Sequence, residues 1–491
     1  MNINLTTIED RMDLFAKYLD RSKMDHKPYQ FDGVRWILNN ELRPDPVCNV
    51  RGGFIADEMG LGKTIMMIGT MLCNYMPRTL VVVPPVLIDQ WFTQIYKTTG
   101  HKALVYHGDD KKKITDEDLE NAKIVICTYG AITLTKNQIK GKMLTQLHKV
   151  KWSRIVFDEA HHLRNGKTTR YFGAKLLQAN IRWLVSGTPV QNRKQDFYSL
   201  CNIMRLPASF YTESANLKLL ARSFILKRTK RQVGIQIADL IIDKNMVNWT
   251  NNKEMELSEE IHSALSFSKV NLSKGNGLIV NTFINGGPLA MLLRARQSCI
   301  YPKLMAKRLE TLVKSGLLKD YSEYKEAFES SSKLDFVVNK ILERMGNGCG
   351  KLIFCHFREE IDEVASRLKA GGMTKVATFD GRTANSKRFD ILNDKNEALI
   401  LQIQTGCEGL NLQENYSEIY FVSPHWNPAV EDQAIARCHR IGQTKSVYVE
   451  RFEMCKFVDD EQEIDTRTVD NYVGSVQEGK RIIANEIIET V

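Results

Sequence analysis

The chain predicts an α/β fold built as two tandem parallel-sheet lobes with helical insertions. Three observations carry that reading. Short apolar runs rich in β-branched residues alternate with longer mixed segments, as buried parallel strands and their crossovers do. The runs come in two series, so two sheets are expected rather than one. Polar motifs stand directly after several of them, where open α/β sheets bind ligands. A chain of 491 residues, 43% of them hydrophobic, is also too long for one core and long enough for two or three domains.

The first series runs through Phe54-Ile55-Ala56, Leu80–Val83, Ile124–Cys127, Arg154–Phe157 and Trp183–Val185. The stretch 193–350 lacks strand signals. Its periodicity predicts helices, as at 286–299 with Leu289, Leu292, Leu293 and Ala295, and in the heavily charged 301–328. The second series comprises Leu352–Cys355, Ala398–Ile403, Ile419–Val422 and Val447–Phe452. Segment 456–491 reads as a charged helix with Ile482, Ile483, Ile487 and Ile488 on one side, packing back on its own domain. The expected division is a first lobe over 1–231, with a helical protrusion over 193–230, and a linker over 232–256. A helical insertion over 257–350, a second lobe over 351–455 and a C-terminal extension over 456–491 follow.

Bulk properties narrow the class. Lys plus Arg total 68 against 58 acids, a net charge of +10. That excess suits a polyanionic partner and equally a soluble surface. Ten cysteines include no Cys-x-x-Cys pair, so no zinc is expected and reduced thiols are. The start MNINLTTIED lacks a secretory pattern, and the longest apolar run, Leu80–Ile88, is broken by Pro84 and Pro85. Neither secretion nor a membrane span is expected.

The chemistry lies in two motifs about a hundred residues apart. In DEMGLGKT (Asp57, Glu58, Met59, Gly60, Leu61, Gly62, Lys63, Thr64) the glycines let backbone N–H groups face a phosphate. Lys63 would reach the terminal phosphates of ATP, and the Thr64 hydroxyl would hold Mg²⁺. The strict phosphate-loop pattern begins with Gly, and here that position is Asp57. In DEAHH, Asp158 is placed to hold Mg²⁺ and Glu159 to orient or deprotonate water. Adjacent His161 and His162 do not share a helical face or find zinc partners. His161 is expected to relay between nucleotide and the loop SGTPVQN (186–192), through Gly187 and Thr188. In VEDQAIARCHRIGQ (430–443), Gln433, Arg437 and Arg440 fall at i, i+4 and i+7, which predicts one helical face carrying all three. Two arginines opposite a phosphate loop would neutralise charge building on the γ-phosphate. An isolated pair would by default be a solvated basic face. ATP held between two lobes would convert hydrolysis into domain motion.

DEMGLGKT, DEAHHLRN, LVSGTPVQN, HWNP and QAIARCHRIGQ, in this order, resemble the SWI/SNF-type (chromatin-remodeller) ATPases, helicase-like motors of superfamily two. The likeness covers roughly 25–455. RIGQ with WNP separates it from DEAD-box RNA helicases. LLRARQSCIYP (292–302) and NPAVEDQ are most similar to the branch of the helicase-like transcription factor and transcription-termination ATPases. The resemblance implies two RecA-like lobes and DNA-stimulated ATP hydrolysis. It places Gln30, in KPYQFDGVRW, on adenine and Gln433 at the nucleotide. It assigns coupling to His161, Gly187, Thr188 and Gly409, and puts Pro84, Gln90, Thr128, Asn411 and Trp426 on duplex DNA, with Trp91 beside them. For Trp91 and Trp426, core packing competes with DNA contact. FILKRTKRQV (224–233) matches the stretch that closes the first lobe, so Lys227, Arg228, Lys230 and Arg231 are not read as a nuclear-import signal. Two departures stand out: Ser423-Pro424-His425 before Trp426, and Cys407-Glu408 in QTGCEGLNLQ, where a Gly-rich pair is common.

The expected function is a monomeric, double-stranded-DNA-dependent ATP hydrolase that translocates on duplex. It would remodel or displace DNA-bound proteins such as nucleosomes or RNA polymerase. A strand-separating helicase is the alternative enzyme, and an inactive nucleic-acid-binding scaffold the alternative class. Intact Lys63, Asp158, Glu159, Arg437 and Arg440 speak against the scaffold. The expected compartment is the nucleus for a cellular member, and the cytoplasm, viral factory or virion for a member from a large DNA virus.

Overall fold

A computed structural model describes residues 7–141, 144–187, 194–267, 287–384, 390–392, 394–406, 411–457 and 466–490. The chain divides into two compact units, Met1–Gln236 with Lys480–Val491, and Ile237–Gly479.

The first unit opens with helices α1 (Ile8–Arg21) and α2 (Pro28–Leu42). Thr7 caps α1 in a box closed by Asp10, and Pro28 begins α2 at the position where a missing N–H costs nothing. Its strands are β1 (Arg51–Ile55), β2 (Thr79–Val83), β3 (Leu104–Tyr106), β4 (Ile124–Thr128), β5 (Lys151–Asp158), β6 (Gln178–Val185) and β7 (Ile225–Leu226). They form a parallel seven-stranded sheet in the order β3-β4-β2-β5-β6-β1-β7. Helix α3 (Lys63–Cys73) follows β1 and α4 (Ile88–Thr99) follows β2. Two cores pack on the two faces, one centred on Phe54, Trp152 and Phe157, the other on Phe15, Trp91 and Trp183.

Register decides where the site lies. Ile55 pairs with Val185, Val185 with Asp158, Val82 with Phe157, and Val83 with Thr128. The carboxyl ends of β1, β2, β4, β5 and β6 therefore align, and every first-lobe motif leaves the sheet at the same edge.

The second unit holds β8 (Leu240–Val247), β9 (Gly350–Cys355), β10 (Val376–Phe379), β11 (Ala398–Gln402), β12 (Tyr416–Phe421) and β13 (Val447–Met454). This sheet is also parallel, in the order β10-β11-β9-β12-β13-β8. The expected strands are all present. Two expectations fail. The stretch 232–256 is not simply a linker, because β8 lies inside it and pairs with β13 along its full length. Its sequence LIIDKNMV mixes charge with apolar residues because it is an exposed edge strand, which hides it from a search for buried runs. Nor is 193–350 free of strand, since β7 also falls there. The helix Gly287–Ile300 matches the expected 286–299. The C-terminal helix spans Val469–Thr490, with Val469 and Val473 in the second unit's core and Ile482 about half exposed.

Candidate active site

The loop 57–62 turns through two left-handed glycines, Gly60 at φ 92° and Gly62 at φ 80°, and Gly62 starts α3. A side chain at Gly62 would be strained there and would also run into Gln30 Nε2. Gln30 is buried in α2 and donates from Nε2 to the Leu61 carbonyl at 3.3 Å. Lys63 Nζ donates to the Asp57 carbonyl at 2.8 Å and to Glu58 O at 3.4 Å. Its ammonium thus lies within the curve of its own loop, at the N-terminus of α3 beside Thr64, where an anion is favoured.

The side chains of Asp57 and Glu58 do something the motif does not suggest. Fully buried Asp57 is gripped by Arg228, Nε to Oδ1 at 3.1 Å and Nη2 to Oδ2 at 2.5 Å. Arg228 Nη1 also donates to Tyr29 O. Lys230 pairs with Glu58 at 3.1 Å, and its backbone N–H donates to Glu58 Oε2 at 2.8 Å. Main-chain bonds from Ala56 to Leu226 O and from Glu58 to Arg228 O complete the seam. The acids at the head of the loop anchor it to the basic stretch FILKRTKRQV, both carboxylates being paired with its side chains. Sequence reasoning missed Arg228 and Lys230 as site residues; the signal was Asp-Glu standing where the strict pattern has Gly-x.

Asp158 ends β5. Its Oδ2 accepts from Trp91 Nε1 at 2.7 Å, its Oδ1 from the Glu159 N–H at 3.0 Å, and its carbonyl from Tyr129 Oη at 2.7 Å. Burial first, and the neighbouring Glu159 carboxylate second, push its pKa up to about 6, while the Trp91 donor pulls it back. Trp91 is itself 1% exposed, so in this structure its indole is packed and spent on the carboxylate, the packing side of the two roles expected for it. Glu159 adopts a left-handed backbone, φ 51°, that turns the chain out of the strand. His161 lies 3.3 Å from Glu159 Oε2 through Nδ1 and 3.4 Å from Ser186 Oγ, the first residue of the SGTPVQN loop. A Cβ on Gly187 would lie 3.1 Å from Met59 and 3.4 Å from Lys63 Nζ. The β5 and β6 loops thus converge on the phosphate loop. Thr188 lies outside the described residues.

In the second unit the helix after HWNP spans Pro428–Ile435, capped by Asn427. It does not reach the arginines, which corrects the expectation of one helical face. The ladder shortens at its end: Arg437 N–H bonds to Ala434 O and Cys438 N–H to Ile435 O, three residues back. The Arg437 carbonyl is taken by the Leu412 N–H, and buried Cys438 pulls the turn into the core. Arg440 stands on this turn and donates from Nη1 to Asn411 Oδ1. Gln433 is buried, and its Nε2 has no hydrogen-bond partner among the described residues.

The remaining candidates fall out differently. Gln90 is exposed on α4, whereas Pro84 and Thr128 are buried at the ends of β2 and β4. Trp426 is half-buried, with Arg296 over its ring at 5.1 Å and Tyr472 edge-on at 6.1 Å. Gly409, Cys407 and Glu408 lie outside the described residues.

The donor set suits a nucleoside triphosphate with a divalent cation: a glycine turn, an ammonium, a hydroxyl and a strand-end carboxylate that is buried but held by two N–H donors. Comparison with known proteins agrees. The SNF2-related domain matches residues 29–304, more than half of the chain, and the helicase conserved C-terminal domain matches 332–442. A "probable global transactivator" of Orgyia pseudotsugata multicapsid polyhedrosis virus is 26% identical over 94% of this chain and 91% of its own length. An ATP-dependent helicase of Mycoplasma genitalium is 28% identical over 93% of the chain, and the DNA repair protein RAD5B of Arabidopsis thaliana 26% over 82%. The chain spans 43% of the length of each of these two. The SWI2/SNF2 ATPase core of Sulfolobus solfataricus in complex with dsDNA is 23% identical, covering 96% of this chain and 97% of that one, at a TM-score of 0.40. The chain belongs to the SNF2-related family of helicase-like ATP hydrolases.

Proposed function

We propose that the protein is a DNA-dependent ATPase that couples hydrolysis to translocation along double-stranded DNA and displaces what is bound there. The observation that carries this reading is the convergence of Lys63, Asp158–Glu159 and Ser186–Gly187 on one sheet edge, together with a second parallel-sheet unit that bears Arg437 and Arg440. Lys63 leaves the Asp57 and Glu58 carbonyls for the terminal phosphates of ATP. Thr64 and Asp158 hold Mg²⁺, which when bound neutralises charge on the phosphate oxygens. Glu159 orients the attacking water and accepts its proton. Gln30, bonded to Leu61, reads the base edge from the loop's other side, and Gln433 faces the nucleotide from the second lobe. Arg437 and Arg440 add positive charge as the γ-phosphoryl bond breaks. His161, with Ser186, Gly187, Thr188 and Gly409, passes the state of the nucleotide to the DNA-facing loops.

Grip on duplex comes from both lobes through backbone phosphates, with Pro84, Gln90, Thr128, Asn411 and Trp426 as candidate contacts, and is sensitive to salt rather than to base sequence. A viral transactivator and a DNA repair protein among the relatives support work on DNA; the bound machinery that we propose is displaced includes nucleosomes or RNA polymerase. ATP hydrolysis by the purified chain, alone and with duplex DNA, single-stranded DNA or RNA, tests the reading, with Lys63→Ala as control. Strong stimulation by duplex, lost in the variant, is expected. A preference for single strands or RNA would replace it with a strand-separating helicase, and no hydrolysis under any condition with a scaffold.

A further inference from the structure

The second sheet has a cavity at the end where catalytic loops do not leave. It measures about 550 Å³, within the range of small-molecule sites. It is lined by the segments that lead into five successive strands: 348–351 into β9, 373–375 into β10, 395–397 into β11, 413–417 into β12 and 443–445 into β13. Nucleotide-handling loops leave at the opposite, carboxyl ends, so this cavity is separate from that chemistry.

Its lining carries both basic and apolar groups. Lys351, Lys375, Lys395 and Lys445 share the lining with two acids, Glu397 and Glu414. Lys351 is held by Glu418 at 3.4 Å, and Lys445 caps the Gly348 carbonyl at 2.7 Å. Lys375 and Lys395 are exposed. Glu397 is spent on the Thr374 and Lys375 N–H groups, both at 2.9 Å. Met345 and Met373 form the apolar wall. Tyr416 and Ser417 line the cavity at 1% and 2% exposure; the Tyr416 hydroxyl is met by Asn396, whereas the Ser417 hydroxyl has no hydrogen-bond partner among the described residues. Buried hydroxyls of this kind are ordinarily met by protein, by ligand or by a bridging water.

We infer that this cavity binds a phosphate-bearing small molecule, its phosphates on Lys375 and Lys395 and a further polar contact on Ser417, directly or through water. Duplex DNA does not enter a cavity of this size; a nucleotide-sized polyphosphate does. Gln443 lies on its wall and donates to the Gln413 and Tyr416 carbonyls at 2.9 and 3.0 Å, three residues from Arg440, so a ligand here touches the segment that carries that arginine.

Titration of the full chain with inorganic tripolyphosphate tests the inference, followed by calorimetry and by the methyl signals of Met345 and Met373. Two binding events are expected. One disappears in Lys63→Ala and belongs to the phosphate loop. The other survives Lys63→Ala, shifts both methionine methyls, and weakens at least about tenfold in Lys375→Glu/Lys395→Glu. Because those lysines are exposed, the double variant keeps its melting temperature. Ser417→Ala weakens the second event alone, which a purely structural hydroxyl would not do. A single event removed by Lys63→Ala, methionine signals that do not move, or displacement of the second event by duplex DNA would each overturn the inference. Loss of the first event alone would count against the proposed ATP site and leave this one standing.

Discussion

Trp91 shows what a single residue's environment adds to its motif. In VVVPPVLIDQW it stands among expected DNA contacts, yet its indole N–H is spent on Asp158, 67 positions further along the chain. Trp91→Phe keeps the packing and deletes one hydrogen bond to a buried carboxylate, worth about 1.5–3 kcal/mol. The expected outcome is an apparent Mg²⁺ requirement for ATP hydrolysis raised about tenfold, from the same principle, with duplex affinity unchanged. Weaker duplex binding at an unchanged Mg²⁺ requirement would return Trp91 to the DNA surface. Asp57 makes the same point for an ion pair. Arg228→Ala leaves a fully buried carboxylate without its partner, which costs about 3–5 kcal/mol. The melting temperature of Arg228→Ala should therefore fall well below that of Arg228→Ala/Asp57→Asn. Equal melting temperatures would mean the pair contributes nothing to holding the loop. A Gly-to-Asp departure was visible in the sequence; its partner 171 residues away was not.

At the scale of elements, legibility followed burial. β2, β4, β5, β9 and β11 lie inside a sheet with covered faces and announce themselves as continuous apolar runs. β3, β7, β8 and β10 were missed because they are short, at an edge or partly exposed. Periodicity overran the helix Pro428–Ile435 because spacing alone does not reveal that Leu412 claims the Arg437 carbonyl. Buried polar networks were equally silent. Glu41 in α2 accepts from Arg154 at 2.7 Å, Trp183 at 2.8 Å and Asn74 at 2.7 Å, stitching α2 to β5, β6 and the end of α3. At the start of the helix Arg358–Ala370, Glu360 Oε2 takes the N–H groups of His356 and Phe357. Burial nonetheless pushes its pKa up to about 7. Between about pH 4 and pH 7 the folded chain keeps a proton here that the unfolded chain has released, so this group lowers stability as pH rises through that window. Glu360→Gln removes the titration. Thermal melts from pH 4 to 7 should show the wild type losing stability relative to the variant, and parallel curves would contradict the burial argument.

Across the whole molecule, the reading from sequence was strongest where chemistry demands fixed spacing and weakest where two units must cooperate. The phosphate loop and DEAHH are local, so their residues meet once a parallel sheet forms. The arginines lie in the other unit, and the proposed function makes their contribution depend on the charge that builds as the γ-phosphoryl bond breaks. That dependence gives them a kinetic signature distinct from Lys63. Arg440→Ala should leave ATP affinity within a few-fold of wild type, measured by nucleotide titration in the absence of DNA. It should lower duplex-stimulated kcat by about 10³-fold, the scale of a supplied arginine at a phosphoryl transition state. Asn411, whose side chain receives Arg440 Nη1, is a candidate duplex contact and also the group that orients that guanidinium; if orientation is its role, Asn411→Ala should lower kcat less than Arg440→Ala and leave its salt dependence unchanged. If Asn411→Ala instead flattens the salt dependence of duplex stimulation, Asn411 acts on the DNA backbone. If Arg440→Ala weakens ATP binding as much as turnover, the arginine acts on bound nucleotide before hydrolysis rather than on the transition state, and the charge of that state must be met by another residue.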